Sequence, residues 1–191
     1  RSRRNSITKR THGGGKIKIG RRKEKAWRRT LNRIEKTWRR VVNRIIKTLP
    51  FDYHIQSGNS SVVRYFQLFK NIPFKNFHAN RGTSGIDGST STAVGYSLAK
   101  CEPTLLVTGD LSFMYDSNGL WNDLLTPNLR IIIINNGGGG IFRIIPGPKS
   151  VKNFETYFEG KHSMNYKGIV TNFGLEYHFA ENYQELENEL E

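Results

Sequence analysis

Trp27, Leu31, Ile34, Trp38, Val41 and Ile45 recur at steps of four, three, four, three and four, with Arg and Lys on the positions between them. That period predicts an amphipathic helix over about 22–48, ended at Leu49-Pro50. Residues 1–20 are rich in Arg, Lys, Gly and Thr and have no hydrophobic period, which predicts a disordered or linker segment. From Phe51 onward strand-like and helix-like pieces alternate. Strands are predicted at Tyr53–Gln56, Asn76–Ala79, Thr104–Thr108, Arg130–Asn135 and Leu175–His178. Helices are predicted at Ser60–Lys70, Ser89–Lys100, about Asn118–Leu125 and Tyr183–Glu191, with a glycine-rich loop over Arg81–Gly88.

Two of these strand patterns, Leu105-Leu106-Val107 and Ile131-Ile132-Ile133-Ile134, are apolar without alternation. A strand of that kind is covered on both faces, as in a parallel sheet between two helical layers. The fold class is therefore α/β, a doubly wound parallel sheet with helices on both faces. Two regions follow: a basic leader over 1–50 and a domain over 51–191, the latter expected to be truncated at its C-terminus.

Charge sharpens that division. Of 30 Lys and Arg, 19 fall in residues 1–50, beside only Glu24 and Glu35, so the formal +14 of the chain belongs to the leader and the rest is near neutral. The leader reads as a solvated helix whose apolar stripe packs on the domain. Nucleic-acid or anionic-membrane binding through Arg with Trp27 and Trp38 is the sharper and less favoured reading. A single cysteine, Cys101, allows no disulfide framework within the chain and suits a cytoplasmic setting. Asn59-Ser60-Ser61 matches a glycosylation acceptor but carries no weight without a secretory signal. The five histidines (His12, His54, His78, His162 and His178) show no metal-ligand spacing and receive no role.

In a doubly wound sheet, ligands sit beyond the carboxyl ends of the strands. Gly109-Asp110 and Asn135-Asn136 stand at two such ends, 26 positions apart from Asp110 to Asn136. A carboxylate, an amide oxygen and a backbone carbonyl from Gly137-Gly138-Gly139-Gly140 make a hard-oxygen set for Mg²⁺ or Mn²⁺, completed by phosphate and water. Gly82, Gly85 and Gly88 let backbone N–H groups turn toward an anion, and Ser84 and Ser89 add hydroxyls. The helix from Ser89 aims its positive end the same way. Taken singly, Gly-Asp and Asn-Asn-Gly are ordinary turns after strands; their shared placement is what points to a site.

Gly109-Asp110…Asn135-Asn136 resembles the GDG…NN motif of thiamine diphosphate enzymes. Gly58-Asn59-Ser60-Ser61-Val62-Val63-Arg64, Asn80–Gly88, Gly109-Asp110-Leu111-Ser112…Tyr115-Asp116 and Asn135–Phe142 together resemble the MenD family, the 2-succinyl-5-enolpyruvyl-6-hydroxy-3-cyclohexene-1-carboxylate synthases of menaquinone biosynthesis. The likeness spans about 51–190. Leu111, where most of the superfamily has Gly, fits this branch, whereas Gly137 stands where members often carry Asn or Asp.

The resemblance implies a transferase that decarboxylates 2-oxoglutarate and adds the resulting carbanion to isochorismate, using thiamine diphosphate with Mg²⁺ or Mn²⁺. It implies that Asp110, Asn136 and the Gly138 carbonyl hold the metal. Ile86 would bend the cofactor, while Ser84, Gly109, Leu111, Ser112, Ile141, Phe142 and Ile145 would line its pocket. Asn59, Ser60, Arg64 and Arg81 would face the substrates, both of which are dicarboxylates suited to forked Arg contacts. It also implies a homodimer or homotetramer in which another subunit's pyrimidine-binding domain brings the activating glutamate, so the isolated chain is expected to be inactive. The alternatives are an acetolactate-synthase-like decarboxylase or ligase, and an inactive binding module with a basic arm.

Overall fold

The computed structural model of the protein describes residues 36–145 and 147–190. The readings for the leader before residue 36, including Trp27, Leu31 and Ile34, lie outside the described residues. The compact unit described below runs from Trp38 to Glu191.

Helix α1 covers 36–48. Its buried stripe is Trp38, Val42 and Ile45, followed by Leu49 just past the helix; Val41 is half-buried. Trp38 stacks on Tyr65 with ring centroids 5.2 Å apart and planes within 9°. An amphipathic helix this short has little stability alone, so this packing holds it.

Strands β1 (His54–Ser57), β2 (Asn76–Ala79), β3 (Thr104–Gly109) and β4 (Leu129–Ile134) form one parallel sheet in the order β2-β1-β3-β4. The predicted doubly wound fold is what the chain adopts. The register pairs Ser57 with both Ala79 and Val107, and Gly109 with Ile134. All four carboxyl ends therefore finish on one edge, carrying Gly58-Asn59, Asn80-Arg81, Asp110 and Asn135-Asn136. The chain leaves β1 for β2 on one side and reaches β3 on the other, so the switch point lies between β1 and β3.

Helices α2 (Ser61–Phe66), α3 (Ser89–Lys100) and α4 (Asp110–Tyr115) pack on the sheet, α5 (Lys167–Asn172) packs in the cluster around Phe113, and α6 (Tyr183–Leu190) meets α1 through Glu187 and Arg44. Ile55, Val62, Phe66, Leu105, Leu106, Val107, Phe113 and Leu120 form the dry centre. Each such side chain contributes about 1.5–3 kcal/mol of burial. The continuous apolar pattern of β3 is matched by near-complete burial, but β4 is an edge strand and its isoleucines are only partly covered.

Three local expectations are corrected. The helix predicted over Ser60–Lys70 stops at Phe66, because Leu68 N–H and Phe69 N–H turn back to Tyr65 and Phe66 carbonyls in tighter i→i−3 bonds. The helix expected over Asn118–Leu125 is only a 3₁₀ turn, Ser117–Leu120; beyond it Asn122 bonds locally to the Gly119 carbonyl and the Leu124 N–H, competing with helix. Leu175–His178 is not a strand. Leu175 and Tyr177 pack against the cluster around Phe113 and Tyr166 as irregular chain, which produces the same alternation without a ladder. Helices α4 and α5 were not anticipated, each being six residues, too short for a periodic signal. No helix among the described residues is long and apolar enough to cross a membrane.

Candidate cation and diphosphate site

Asp110 is the first residue of α4, directly after β3, and only 3% exposed. A buried carboxylate needs donors, and the backbone provides them. Oδ2 accepts the N–H of Gly138 at 2.9 Å and of Asn136 at 3.1 Å, and Oδ1 accepts the Leu111 N–H at 2.7 Å. The two motifs read from the sequence are thus joined directly, because β3 and β4 are neighbours in register.

The glycine run is shaped by close approach. Gly138 has φ +135°, and a Cβ there would meet the Glu159 carbonyl oxygen at 2.7 Å. Its carbonyl accepts the Gly140 N–H at 2.8 Å around Gly139 (φ −74°, ψ 65°), an inverse γ-turn. A Cβ on Gly140 would lie 2.7 Å from Asn136 Nδ2, so the amide of Asn136 sits in space that only glycine leaves open. Ile141 and Phe142 follow on the 3₁₀ turn Gly140–Arg143, with Ile145 just beyond. All three are half-buried, and Phe142 meets Phe158 edge-on at 6.1 Å.

A segment that sequence reasoning passed over covers this run. The turn Glu155–Glu159 gives its Glu159 carbonyl to the Gly139 N–H at 2.5 Å, and His162 N–H bonds the Gly137 carbonyl at 3.2 Å. Glu159, 7% exposed, takes both oxygens into a forked pair with Arg143 Nε and Nη2. That contact raises the Arg143 pKa further above its ordinary value. His162 brings Nε2 to 3.3 Å from Asp110 Oδ2. That is within ion-pair range, but the geometry is not that of a hydrogen bond, and Nε2 has no other partner. Tyr166 lies buried against Phe113 with its hydroxyl unpartnered; burial first, and then the Asp110 charge, push it up to about 12. No spacing rule relates positions 110, 159 and 162, so no signal in the sequence exposed this contact.

At the neighbouring strand ends, Asn59 is 2% exposed and fully engaged. Its Nδ2 donates to the carbonyls of Asn80 at 2.7 Å and Gly85 at 2.6 Å, and its Oδ1 accepts from Arg81 Nη1 at 3.1 Å. Arg64, exposed on α2, donates to the Ser60 carbonyl at 2.8 Å. Both guanidinium groups are therefore anchored on the Asn59-Ser60 corner. Ser60 itself holds φ 67° and ψ −121°, a conformation non-glycine residues rarely adopt. Gly58 is tight for another reason: a Cβ would meet Thr108 Oγ1 at 2.9 Å where β1 and β3 close together.

In the glycine-rich loop, Ser84 has φ 58° and its hydroxyl donates to the Arg81 carbonyl at 3.2 Å. Ile86 is half-buried, and its carbonyl accepts from the buried Ser112 hydroxyl, tying the loop to α4. Ser89 Oγ and Thr90 Oγ1 are buried without partners. The positive end of α3 is less free than expected: Asp116 accepts both the N–H and the hydroxyl of Ser91, at 2.8 and 2.6 Å. An acid already compensates the first turn of that helix.

The family described as thiamine pyrophosphate enzyme, C-terminal TPP binding domain, matches residues 57–191. The chain is 50% identical over 139 residues, 73% of its length, to a 2-succinyl-5-enolpyruvyl-6-hydroxy-3-cyclohexene-1-carboxylate synthase of Christiangramia forsetii, covering 24% of that protein. It is 52% identical over 130 residues to the protein of the same name from Flavobacterium psychrophilum, covering 67% of this chain and 24% of that one. A third, from Porphyromonas gingivalis, is 46% identical over 143 residues, 74% of this chain and 25% of its own. The chain spans about a quarter of the length of the curated relatives it matches.

Proposed function

The chain belongs to the thiamine pyrophosphate enzyme family through its C-terminal TPP binding domain, and from that premise we propose that it supplies the metal–diphosphate half of a menaquinone-pathway synthase. The reaction is the decarboxylation of 2-oxoglutarate and the joining of its remaining four-carbon unit to isochorismate. The observation that carries the reading is Asp110: a buried carboxylate at the sheet's carboxyl edge, receiving N–H groups from the Asn136–Gly138 turn.

The residues fit a divalent cation. Oδ1 of Asp110 accepts one N–H only, and the Gly138 carbonyl accepts one bond, so each keeps a lone pair. With the Asn136 amide oxygen, that makes three hard oxygens for Mg²⁺ or Mn²⁺, which retains phosphate and water as its other ligands. Gly109, Leu111, Ser112 and Ser84 border the diphosphate, and Ile86, Ile141, Phe142 and Ile145 offer apolar surface to the rings. Thiamine diphosphate, when bound, supplies a thiazolium that acts as the electron sink for 2-oxoacid chemistry.

Arg64 and Arg81 are the groups for substrate carboxylates, since a guanidinium presents a fixed fork to a carboxylate. Asn59 serves by holding Arg81, and Ser60 by holding Arg64. The basic residues 1–50 form a leader outside the cofactor-binding region 51–191. A glutamate from another subunit's pyrimidine-binding domain, in a homodimer or homotetramer, completes the site, and a cytoplasmic location goes with this reading.

Titration calorimetry with thiamine diphosphate, with and without Mg²⁺, tests the binding half. Binding should require Mg²⁺, and Asp110→Ala should weaken it by more than about tenfold, since it removes the one charged side chain among the proposed ligands of a hard cation. Equal affinity in the two proteins sinks the metal assignment. Succinyl transfer to isochorismate, assayed with a pyrimidine-binding partner supplied, tests the reaction.

A further inference from the structure

His162 sits where no spacing rule places a histidine; its backbone and one ring nitrogen are hydrogen-bonded, and the other ring nitrogen faces Asp110. Its backbone N–H bonds the Gly137 carbonyl at 3.2 Å. Its Nδ1 accepts the Met164 N–H, also at 3.2 Å. Its Nε2 faces Asp110 Oδ2 at 3.3 Å, with the two side chains 11% and 4% exposed. An acceptor at Nδ1 must carry a lone pair, which leaves the ring proton on Nε2. The nitrogen aimed at the carboxylate is therefore a donor and has no lone pair to offer a metal. A histidine that ligates a cation shows the opposite arrangement, donating from its other nitrogen to an outer partner.

The two oxygens of Asp110 are loaded unequally. Oδ2 accepts the N–H groups of Asn136 and Gly138 and faces His162, whereas Oδ1 accepts only the Leu111 N–H. The ionised carboxylate has about four lone-pair sites, and a third donor at Oδ2 shares one of them with a backbone N–H. Donors crowded onto Oδ2 leave Oδ1 as the oxygen with room. We propose that His162 is a positioning residue for the cation site, donating from Nε2 to Asp110 Oδ2 so that Oδ1 is the oxygen turned to the metal. This rests on the cofactor reading above. The small rotation that converts the 3.3 Å approach into a hydrogen bond also satisfies an otherwise unpartnered buried N–H.

The test is Mn²⁺ affinity of the full chain at saturating thiamine diphosphate, read from the free-Mn²⁺ paramagnetic resonance signal, for wild type, His162→Phe, His162→Gln and His162→Asn. Glutamine carries an N–H to the reach of Nε2, and asparagine carries one only to the reach of Nδ1. Loss of an outer-shell partner lowers metal affinity by roughly 10–100-fold, so that is the expected drop for Phe and Asn. Gln should stay within about threefold of wild type because it restores the donor. A packing role would not separate Gln from Asn, and melting without metal or cofactor monitors that role.

The inference fails if the Phe variant holds Mn²⁺ within about twofold of wild type, or if Gln falls as far as Phe. If wild type itself takes up no Mn²⁺ with thiamine diphosphate, the cofactor reading falls and takes this one with it. Uptake abolished by Asp110→Ala but unchanged in His162→Phe removes this inference alone. Should the variants not fold, ¹⁵N-histidine spectra of the wild type decide instead: the proton of His162 must be on Nε2 with Mg²⁺ and cofactor bound, and a proton on Nδ1 refutes the assignment.

Discussion

Replacing Gly138 with alanine strains both the backbone and the contact that shape the site. At φ +135° an L residue occupies a region it rarely adopts, at a cost of about 1–3 kcal/mol. The new Cβ would lie 2.7 Å from the Glu159 carbonyl oxygen, and 3.3 Å from the Gly160 carbonyl oxygen and from Lys161 Cα. All three are backbone atoms, so no side chain can swing away. The 159–161 turn would have to move instead, although the Gly139 N–H and the Arg143 pair hold it. Overpacking of this kind adds about 1–3 kcal/mol. The sum, about 2–6 kcal/mol, is a large part of a typical stability of about 5–15 kcal/mol.

Urea unfolding followed by circular dichroism measures it. With a slope of about 1–3 kcal/mol per molar, the midpoint should fall by roughly 1–3 M at unchanged slope. Gly82→Ala is the control, because no heavy atom lies within 4 Å of its added Cβ and its φ is not in the left-handed range. It should change stability by less than about 1 kcal/mol. If Gly138→Ala loses less than about 1 kcal/mol, or behaves like Gly82→Ala, close approach is not what requires the glycine.

Two further outcomes follow from buried groups. His54 lies between His78 and Tyr96 with both ring nitrogens unpartnered; burial first, then the His78 charge, lower its pKa to about 4, with Glu102 opposing. Unfolding restores the ordinary 6.5, so the unfolded chain binds the proton first. Stability should be full above pH 6.5, fall as the pH drops toward 4, and level off below that. The full shift corresponds to about 3 kcal/mol, reduced to about 1–2 kcal/mol by screening through the exposed His78 side of the stack. Urea midpoints at stepped pH should lose that part of their slope in His54→Phe, and an unchanged slope would contradict the assignment. Asp116→Ala strips the acceptor from Ser91, exposing a helix-end N–H without a partner, and should cost about 1–3 kcal/mol by thermal melting. Asp116→Asn keeps an acceptor and should recover more than half of that loss; equal losses would mean the cap is not the cause.

Much of the architecture was legible because local rules govern it. Continuous apolar stretches marked strands at Thr104–Thr108 and Arg130–Asn135, within a residue of those observed, and a run of small residues marked the helix Ser89–Lys100. Periodicity failed where contacts replace it. Leu175 and Tyr177 alternate like a strand but pack as irregular chain, and α4 is a single short helix seeded by the turn at Gly109-Asp110. The histidine given no role is the one that the fold carries to the Asp110 carboxylate, 52 positions along the chain.

The sequence by itself determined the class of fold and that Asp110 and Asn136 each follow a strand, because both depend on residue type and local pattern. Only the tertiary structure decided which oxygen of Asp110 stays open, that Asn59 braces Arg81, and that Asp116 already compensates the helix expected to face an anion. Those outcomes depend on which donors reach which lone pairs across the folded chain. Hydrogen bonds act over about 3 Å, and separation along the sequence says nothing about which groups come that close.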